Sequence, residues 1–173
     1  MPHKTSRRRF LAGAAPLIVP ARVLGLQGQP PPSDILNYGH IGIGGRGRQF
    51  LRPESNLGQK IPAPTNLGGD GTRYLRPARS IALCDIDASR LDQAATKVGG
   101  RPKLYKDFRK MFDELGKSID AVTISTPDHV HGVAGIMALR MGKHVYCQKP
   151  LTQNVWEARE MRRLANQKKV ATQ

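Results

Sequence analysis

Two short polar clusters carry the side chains best suited to chemistry, and each follows an apolar run typical of a buried strand. Residues 126–129 (TPDH) follow the run 121–125 (AVTIS), and residues 148–150 (QKP) follow 144–147 (HVYC). Proline has no N–H and cannot continue a central strand, so both runs end at these clusters. Helical spacing between them predicts a strand–helix–strand unit, which places both clusters at the carboxyl edge of a parallel sheet, where ligands bind.

In and directly after these clusters, a lysine and two histidines have side chains that could act on a ligand. The Lys149 ammonium can stabilise developing alkoxide charge, although most lysines are simply solvated surface groups. Asp128, His129 and His131 place three metal-capable side chains within four residues. No further ligand cluster accompanies them, so the sequence favours a role beside a bound molecule and predicts no metal site.

A glycine-rich turn follows the first apolar run of the chain, residues 36–43. Its pattern is G-x-G-x-x-G, formed by Gly42, Gly44 and Gly47. Such glycines permit a tight turn, a close approach of backbone to a pyrophosphate and close helix–strand packing, with the phosphates at a helix N-terminus. The turn is therefore predicted to bind a dinucleotide through Gly42, Gly44, Gly45, Arg46 and Gly47.

Asp85 is the candidate for binding the adenosine ribose. It follows the second predicted strand but stands 38 residues after Gly47, whereas the usual spacing is about 20. A proline- and glycine-rich insertion at residues 52–77 accounts for the difference. The Asp85 carboxylate can accept both ribose hydroxyls and would repel a 2′-phosphate, which favours NAD over NADP. Asp85 could instead be an acidic residue that stabilises a helix N-terminus, but Asp87 suits that role better because it can be the N-cap of the following helix.

The elements that must position these residues alternate between strands and helices, which predicts a Rossmann-type doubly wound α/β domain over residues 35–173. In its strand order, 3-2-1-4-5-6, Cys84 and Cys147 end strands about 14 Å apart, too far for a disulfide, so both are predicted to be buried free thiols. The predicted strands span residues 36–43, 79–84, 103–105, 121–125, 144–147 and 170–172. The predicted helices span residues 88–98, 107–115, about 133–141 and 155–168.

The motifs TP, DHxH, GKHV and QKP, at residues 126–127, 128–131, 142–145 and 148–150, follow one another in a fixed order. In this respect the chain resembles the nucleotide-binding domain of the Gfo/Idh/MocA family, which has glutamate where Gln148 stands. The resemblance implies that Lys149 is catalytic, beside the nicotinamide and the substrate hydroxyl. It also places Thr126, Pro127, His129, His131 and Gln148 next to the cofactor. Whether the peptide bond before Pro150 is cis or trans is left open.

The same resemblance implies an NAD-dependent oxidoreductase that transfers hydride to or from a sugar or polyol and forms a homo-oligomer at full length. Members of the family continue into an α+β domain, so the sequence is expected to be truncated before it and to hold only the nucleotide-binding half. Two alternatives stay open. Some relatives are redox-neutral NAD-dependent glycosidases, and the chain could also be a non-catalytic nucleotide-binding fragment.

Residues 1–26 are expected to be an export leader, and residues 27–34 an extended proline-rich linker. Residues 6–11 (SRRRFL) resemble the twin-arginine signal, and the apolar segment behind them is too short to span a membrane. This predicts an exported or periplasmic protein. The net charge of +15 invites a nucleic-acid role, but only 5% of residues are aromatic and no binding motif is present, so no nucleic-acid partner is predicted.

Overall fold

A computed structural model describes residues 30–57 and 77–173 of the chain. Strands and α-helices alternate through the second of these ranges. The strands are β1 (Leu36–Ile41), β2 (Ala78–Cys84), β3 (Lys103–Tyr105), β4 (Ala121–Ile124) and β5 (His144–Cys147). The α-helices are α1 (Ala88–Val98), α2 (Phe108–Leu115), α3 (Asp128–Arg140) and α4 (Val155–Lys168).

The five strands form one parallel sheet in the order β3-β2-β1-β4-β5. An isolated parallel bridge between Val145 and Thr172 places the end of the chain beside β5, where a sixth strand was expected. The predicted doubly wound α/β order is therefore confirmed. It brings the carboxyl ends of β1, β4 and β5 to one edge.

The side chains of β2 show why both faces of the sheet are covered. Successive strand residues point to opposite faces. Leu83 joins a small apolar cluster with Leu91 and Val98 of α1, whereas Ala82 and Cys84 belong to the larger core built with α2, α3 and α4. Cys84 and Cys147 are both buried and unbonded, so the prediction of free thiols is confirmed.

The segment after β1 differs from the sequence prediction. β1 ends at Ile41 rather than at residue 43, and the expected helix after the glycine turn is a 3₁₀ helix, Gly45–Gln49. Glycine costs about 1 kcal/mol relative to alanine inside a helix, and Pro53 follows closely, so a longer helix is disfavoured here.

The N-terminal regions can be compared with the sequence only in part. Of the linker, residues 32–34 form a 3₁₀ turn (Pro32–Asp34) rather than extended chain. The leader, residues 1–26, and most of the insertion, residues 58–76, lie outside the described residues. No helix in the described part of the chain is long and apolar enough to cross a membrane.

Candidate functional site

The glycine turn lies close against the loop that follows β4. Gly42 has a φ of +79°, and a Cβ on it would lie 2.6 Å from the carbonyl oxygen of Ser125. A Cβ on Gly47 would meet the carbonyl oxygen of Gly42. The Gly42 N–H donates to the Cys84 carbonyl at 2.8 Å, so the turn is fixed to the end of β2 as well. The first and third glycines are therefore required by packing alone.

The middle of the turn is open on the side that a ligand would approach. A Cβ on Gly45 would have no neighbour within 4 Å, and Arg46 is exposed, with its Nη1 donating to Gln49 at 3.0 Å. A Cβ on Gly44 would lie 2.9 Å from Nη1 of Arg90. Sequence reasoning missed Arg90, because only the fold brings the first turn of α1 next to the glycines.

Asp85 lies at the end of β2, where the sequence predicted it, and joins that strand to the glycine turn. Its side chain is buried, with Oδ2 accepting from Ile43 N–H at 2.9 Å and Oδ1 from Asp87 N–H at 3.0 Å. Arg90 Nη1 approaches Oδ1 to 4.0 Å. Asp87 has the separate role expected of it, since its carboxylate caps α1 by accepting from Ser89 and Arg90 N–H groups.

The loop after β4 carries two buried hydroxyl groups that sequence reasoning had not paired. Ser125 Oγ and Thr126 Oγ1 have no hydrogen-bond partner among the described residues. A buried polar group without a partner costs about 1–3 kcal/mol unless a ligand or water satisfies it. Ser125 was overlooked because it was assigned to the strand itself, although its backbone contacts the first glycine.

His129 and His131 belong to the same helix, α3, but face different environments. His129 is exposed on the first turn, and no hydrogen bond to its side chain occurs within residues 30–57 and 77–173. His131 is 1% exposed, with Nδ1 2.7 Å from the Pro150 carbonyl oxygen and Nε2 2.9 Å from the Thr126 carbonyl oxygen. His131 therefore links the two polar clusters. No group of three or more possible metal ligands occurs in the described part of the chain.

The residues after β5 leave Lys149 accessible. The Gln148 amide donates to the Tyr146 hydroxyl at 3.3 Å, and its backbone N–H donates to the Ile124 carbonyl at 2.9 Å. Lys149 is exposed, its side chain has no hydrogen bond or ion pair to any described residue, and its peptide bond to Pro150 is cis. The ammonium is therefore available to a molecule bound at this edge of the sheet.

Burial changes the acid–base behaviour of the two thiols near the site. It raises the pKa of Cys147 to about 12, and it raises that of Cys84 to about 12 with added repulsion from Asp107 and Asp85. Thiolates are the reactive form of cysteine, so neither residue is suited to nucleophilic chemistry at neutral pH.

These features together fit a dinucleotide. The open glycine turn can approach a pyrophosphate, Asp85 retains free lone pairs for ribose hydroxyls, and the hydroxyls of Ser125 and Thr126 lack partners within the described chain. Lys149 stands at the end of β5, two strands from β1 in the sheet. The glycine turn and Lys149 therefore both lie at the carboxyl edge of the sheet, where dinucleotides bind.

Comparison with known proteins also indicates a dinucleotide-binding domain. Residues 36–173 match the family model GFO_IDH_MocA, described as an oxidoreductase family with an NAD-binding Rossmann fold. Inositol 2-dehydrogenase of Salmonella typhimurium is 28% identical over 116 residues, which are 67% of this chain and 29% of that protein. Levoglucosan dehydrogenase of Pseudarthrobacter phenanthrenivorans is 34% identical over 85 residues, covering 49% of this chain and 21% of that protein.

Solved structures resemble the chain over the same region. An NAD-binding oxidoreductase from Klebsiella pneumoniae superposes with a TM-score of 0.55 at 30% identity, covering 79% of this chain and 33% of that one. The scyllo-inositol dehydrogenase of Lactobacillus casei, crystallised with NAD(H) and scyllo-inositol, superposes with a TM-score of 0.60 at 24% identity, covering 80% of this chain and 35% of that one. The chain thus spans about a third of the length of the relatives it matches.

Proposed function

The chain belongs to the GFO_IDH_MocA oxidoreductase family, and on that premise we propose that it is the NAD-binding half of a dehydrogenase acting on a sugar or polyol. NAD is the cofactor of the family, and when bound it supplies a hydride acceptor. The observation that carries the proposal is the glycine turn packed against Ser125 and Thr126, whose buried hydroxyls have no partner in the described chain.

Asp85 is the residue we propose as the determinant of the choice between NAD and NADP. Both of its oxygens already accept one backbone N–H each, which fixes the carboxylate in place and leaves lone pairs for the two ribose hydroxyls. A 2′-phosphate would face this buried negative charge. Arg90 lies beside both Gly44 and Asp85 and is proposed to contact a phosphate of the cofactor.

Lys149 is the group we propose for proton transfer. Its ammonium is exposed at the carboxyl end of β5, without a side-chain partner in the described chain, so it can reach an alcohol oxygen of the substrate. Oxidation of an alcohol to a carbonyl releases a hydride, which NAD would accept, and a proton, which the Lys149 side chain would accept in its neutral amine form. Gln148, the residue before Lys149, contributes a neutral amide where the family's glutamate would contribute a negative charge.

The substrate class follows from the relatives, which act on inositols and levoglucosan according to their names. We propose a polyhydroxylated ring for this protein as well. The part of those relatives that this chain does not span would complete the substrate cleft and support a homo-oligomer. The 173 residues alone are therefore proposed to bind NAD without turning over substrate.

Calorimetric titration with NAD and NADP tests the cofactor assignment, using Asp85→Ala and the matched control Asp87→Ala. Losing hydrogen bonds to a charged group costs about 1.5–3 kcal/mol, so Asp85→Ala is expected to weaken NAD binding roughly tenfold or more and to narrow its preference over NADP. Asp87→Ala removes the cap of α1, which costs about 1 kcal/mol of unfolding free energy, and an ion pair with Arg90, so it should change NAD affinity less than Asp85→Ala does.

A folded wild-type chain that binds no NAD would refute the proposal. Turnover is tested separately by adding inositols and free sugars with NAD and following NADH. No NADH is expected from this chain alone. Cleavage of a nitrophenyl glycoside without NADH accumulation would favour the redox-neutral glycosidase instead.

A further inference from the structure

One imidazole ring joins the two polar clusters through their backbones. His131 lies in the first turns of α3 and is 1% exposed. Its Nδ1 is 2.7 Å from the carbonyl oxygen of Pro150, and its Nε2 is 2.9 Å from the carbonyl oxygen of Thr126. The ring thus spans from the loop after β4 to the loop after β5, and neither bond uses the side chain of a residue in either cluster.

These contacts fix the backbone on both sides of Lys149. On the N-terminal side, the Gln148 N–H donates to the Ile124 carbonyl at 2.9 Å, which continues the pairing of β5 with β4. On the C-terminal side, the Pro150 carbonyl is held by His131. Since the Lys149 side chain itself has no partner in the described chain, the position of its ammonium depends on these two backbone bonds.

The nature of the two acceptors determines the protonation that the ring requires. Carbonyl oxygens only accept hydrogen bonds, and a neutral imidazole has one N–H donor and one acceptor nitrogen. A neutral ring would therefore place a bare nitrogen against one of the two oxygens. Only the doubly protonated ring of His131 donates to both Thr126 and Pro150.

We infer that His131 is a positioning residue that, doubly protonated, holds the loops after β4 and β5 together and thereby sets the position of the Lys149 ammonium. The inference rests on the proposed function in giving Lys149 a role in proton transfer. His131 itself would touch neither substrate nor cofactor. Loss of either ring contact would release one loop and displace Lys149 without altering any group that meets the ligand.

Charged and titratable groups surround this ring on each neighbouring element. Asp128 and His129 precede it on α3, and Lys149 lies in the loop after β5. On α4, the Glu157 carboxylate lies against the backbone of Gly132, the residue next to His131. The protonation of the ring is therefore measured directly.

The first experiment observes the ring itself in the wild-type chain. Long-range proton–nitrogen NMR on a ¹⁵N-histidine sample reports which ring nitrogens carry protons, and the His131 signals are identified by their loss in His131→Asn. We expect both nitrogens of His131 to be protonated, since each faces a carbonyl oxygen. A single protonated nitrogen at every pH at which the chain is folded would overturn the inference.

The second experiment tests separately the hydrogen bonds that His131 makes to Pro150 and to Thr126. Reductive ¹³C-methylation gives each lysine an NMR signal, and that of Lys149 is assigned with Lys149→Arg. In His131→Asn the amide nitrogen takes the place of Nδ1 and can donate to Pro150, whereas in His131→Gln it takes the place of Nε2 and can donate to Thr126. The Lys149 signal should stay near its wild-type position in His131→Asn and move in His131→Gln.

An exposed histidine at the other end of β5 provides the control. His144→Asn should leave the Lys149 signal unchanged. A Lys149 signal that His131→Gln leaves in its wild-type position would overturn the inference, and if that variant does not fold, the ring measurement still decides. NAD titration of the same samples keeps the two hypotheses apart, because failure of the proposed function appears as absence of NAD binding with the ring contacts intact.

Discussion

The buried side chain of His40, on β1, links its own strand to both neighbouring strands of the sheet. Its Nδ1 is 2.7 Å from Thr123 Oγ1 on β4, and its Nε2 is 2.8 Å from Ser80 Oγ on β2. Hydroxyl groups can donate or accept, so a neutral ring satisfies both contacts. Burial, with a smaller contribution from the charge of Arg52, lowers the pKa of His40 to about 3.

This pKa predicts a pH-dependent stability. The folded pKa of about 3 lies below the ordinary 6.5, so the fold favours the neutral ring. The stability it contributes is complete above pH 6.5 and decreases as pH falls from 6.5 towards 3, by about 1.4 kcal/mol per pH unit. Urea unfolding of wild type and His40→Gln at pH 7.5 and 4.5 measures this.

At pH 7.5, His40→Gln should be less stable by about 1–3 kcal/mol, because one hydroxyl is left unsatisfied. At pH 4.5 the difference should shrink or reverse, since only the wild type must keep a buried imidazole neutral. An equal difference at both pH values would show that His40 contributes packing alone.

Residues such as His40 and His131 mark the limit of what the sequence could reveal about the site. The partners of His40 lie 83 and 40 residues away along the chain, and those of His131 are backbone carbonyls. The residues that neighbour a histidine in the sequence form no pattern that indicates such contacts. The positions of the glycines and of Asp85 at strand ends were predictable, because the pattern G-x-G-x-x-G and an acidic residue are each expected directly after a strand, while their roles toward a cofactor stay predictions.

The glycine turn is the element in which sequence and structure differ most. Its glycines predicted a nucleotide-binding turn and a following helix, but the element formed is the 3₁₀ helix Gly45–Gln49. The glycines that open the turn to a ligand also weaken a helix, and this conflict could not be settled from the motif. Three later helices, α1, α2 and α4, were predicted to within one residue, because apolar spacing marked them and Asp87 fixed the start of α1. The prediction for α3 was wrong at its start, since that helix begins at Asp128 and not near residue 133.

Alanine at Gly42 tests whether this turn is built by close contact. Gly42 has a φ of +79° and a Cβ there would lie 2.6 Å from the Ser125 carbonyl, whereas Gly142 has a φ of +71° and nothing within 4 Å. Each substitution is expected to lower the free energy of unfolding by about 1–2 kcal/mol, because alanine disfavours the left-handed backbone conformation. Only Gly42→Ala must also displace the loop carrying Ser125 and Thr126.

Thermal or urea unfolding should therefore show a larger loss for Gly42→Ala than for Gly142→Ala. Calorimetry should show NAD affinity reduced at least about tenfold in Gly42→Ala alone. Equal losses of stability and unchanged affinity in both variants would mean that the turn accommodates a side chain and that the close contact has no part in binding.

At the scale of the whole molecule, strand order was predictable while the substrate was not. The alternation of strands and helices, with right-handed crossovers, leaves few arrangements, and the order β3-β2-β1-β4-β5 is the expected one. That order also decided the state of the two cysteines, which end β2 and β5 and remain free. The substrate could not be predicted, because no motif in the chain specifies one and the chain spans only about a third of the length of the relatives whose names give their substrates.

Export of the folded protein is the property of the whole chain that we propose from its first residues. Residues 6–11 (SRRRFL) supply a pair of arginines, Arg7 and Arg8, followed by a third, Arg9. The twin-arginine pathway carries folded proteins, so NAD could be acquired before export. In a bacterial host with this pathway, replacing both Arg7 and Arg8 by lysine should retain the protein in the cytoplasm, as measured by cell fractionation and immunoblotting.

The matched control is Arg9→Lys, which makes the same chemical change one position beyond the pair and keeps the net charge of +15. Because recognition depends on the arginine pair and not on total charge, this variant should be exported like the wild type. Equal export of the double variant would exclude the twin-arginine route. Cytoplasmic retention of all three proteins would mean that residues 1–26 are a basic segment without a targeting role.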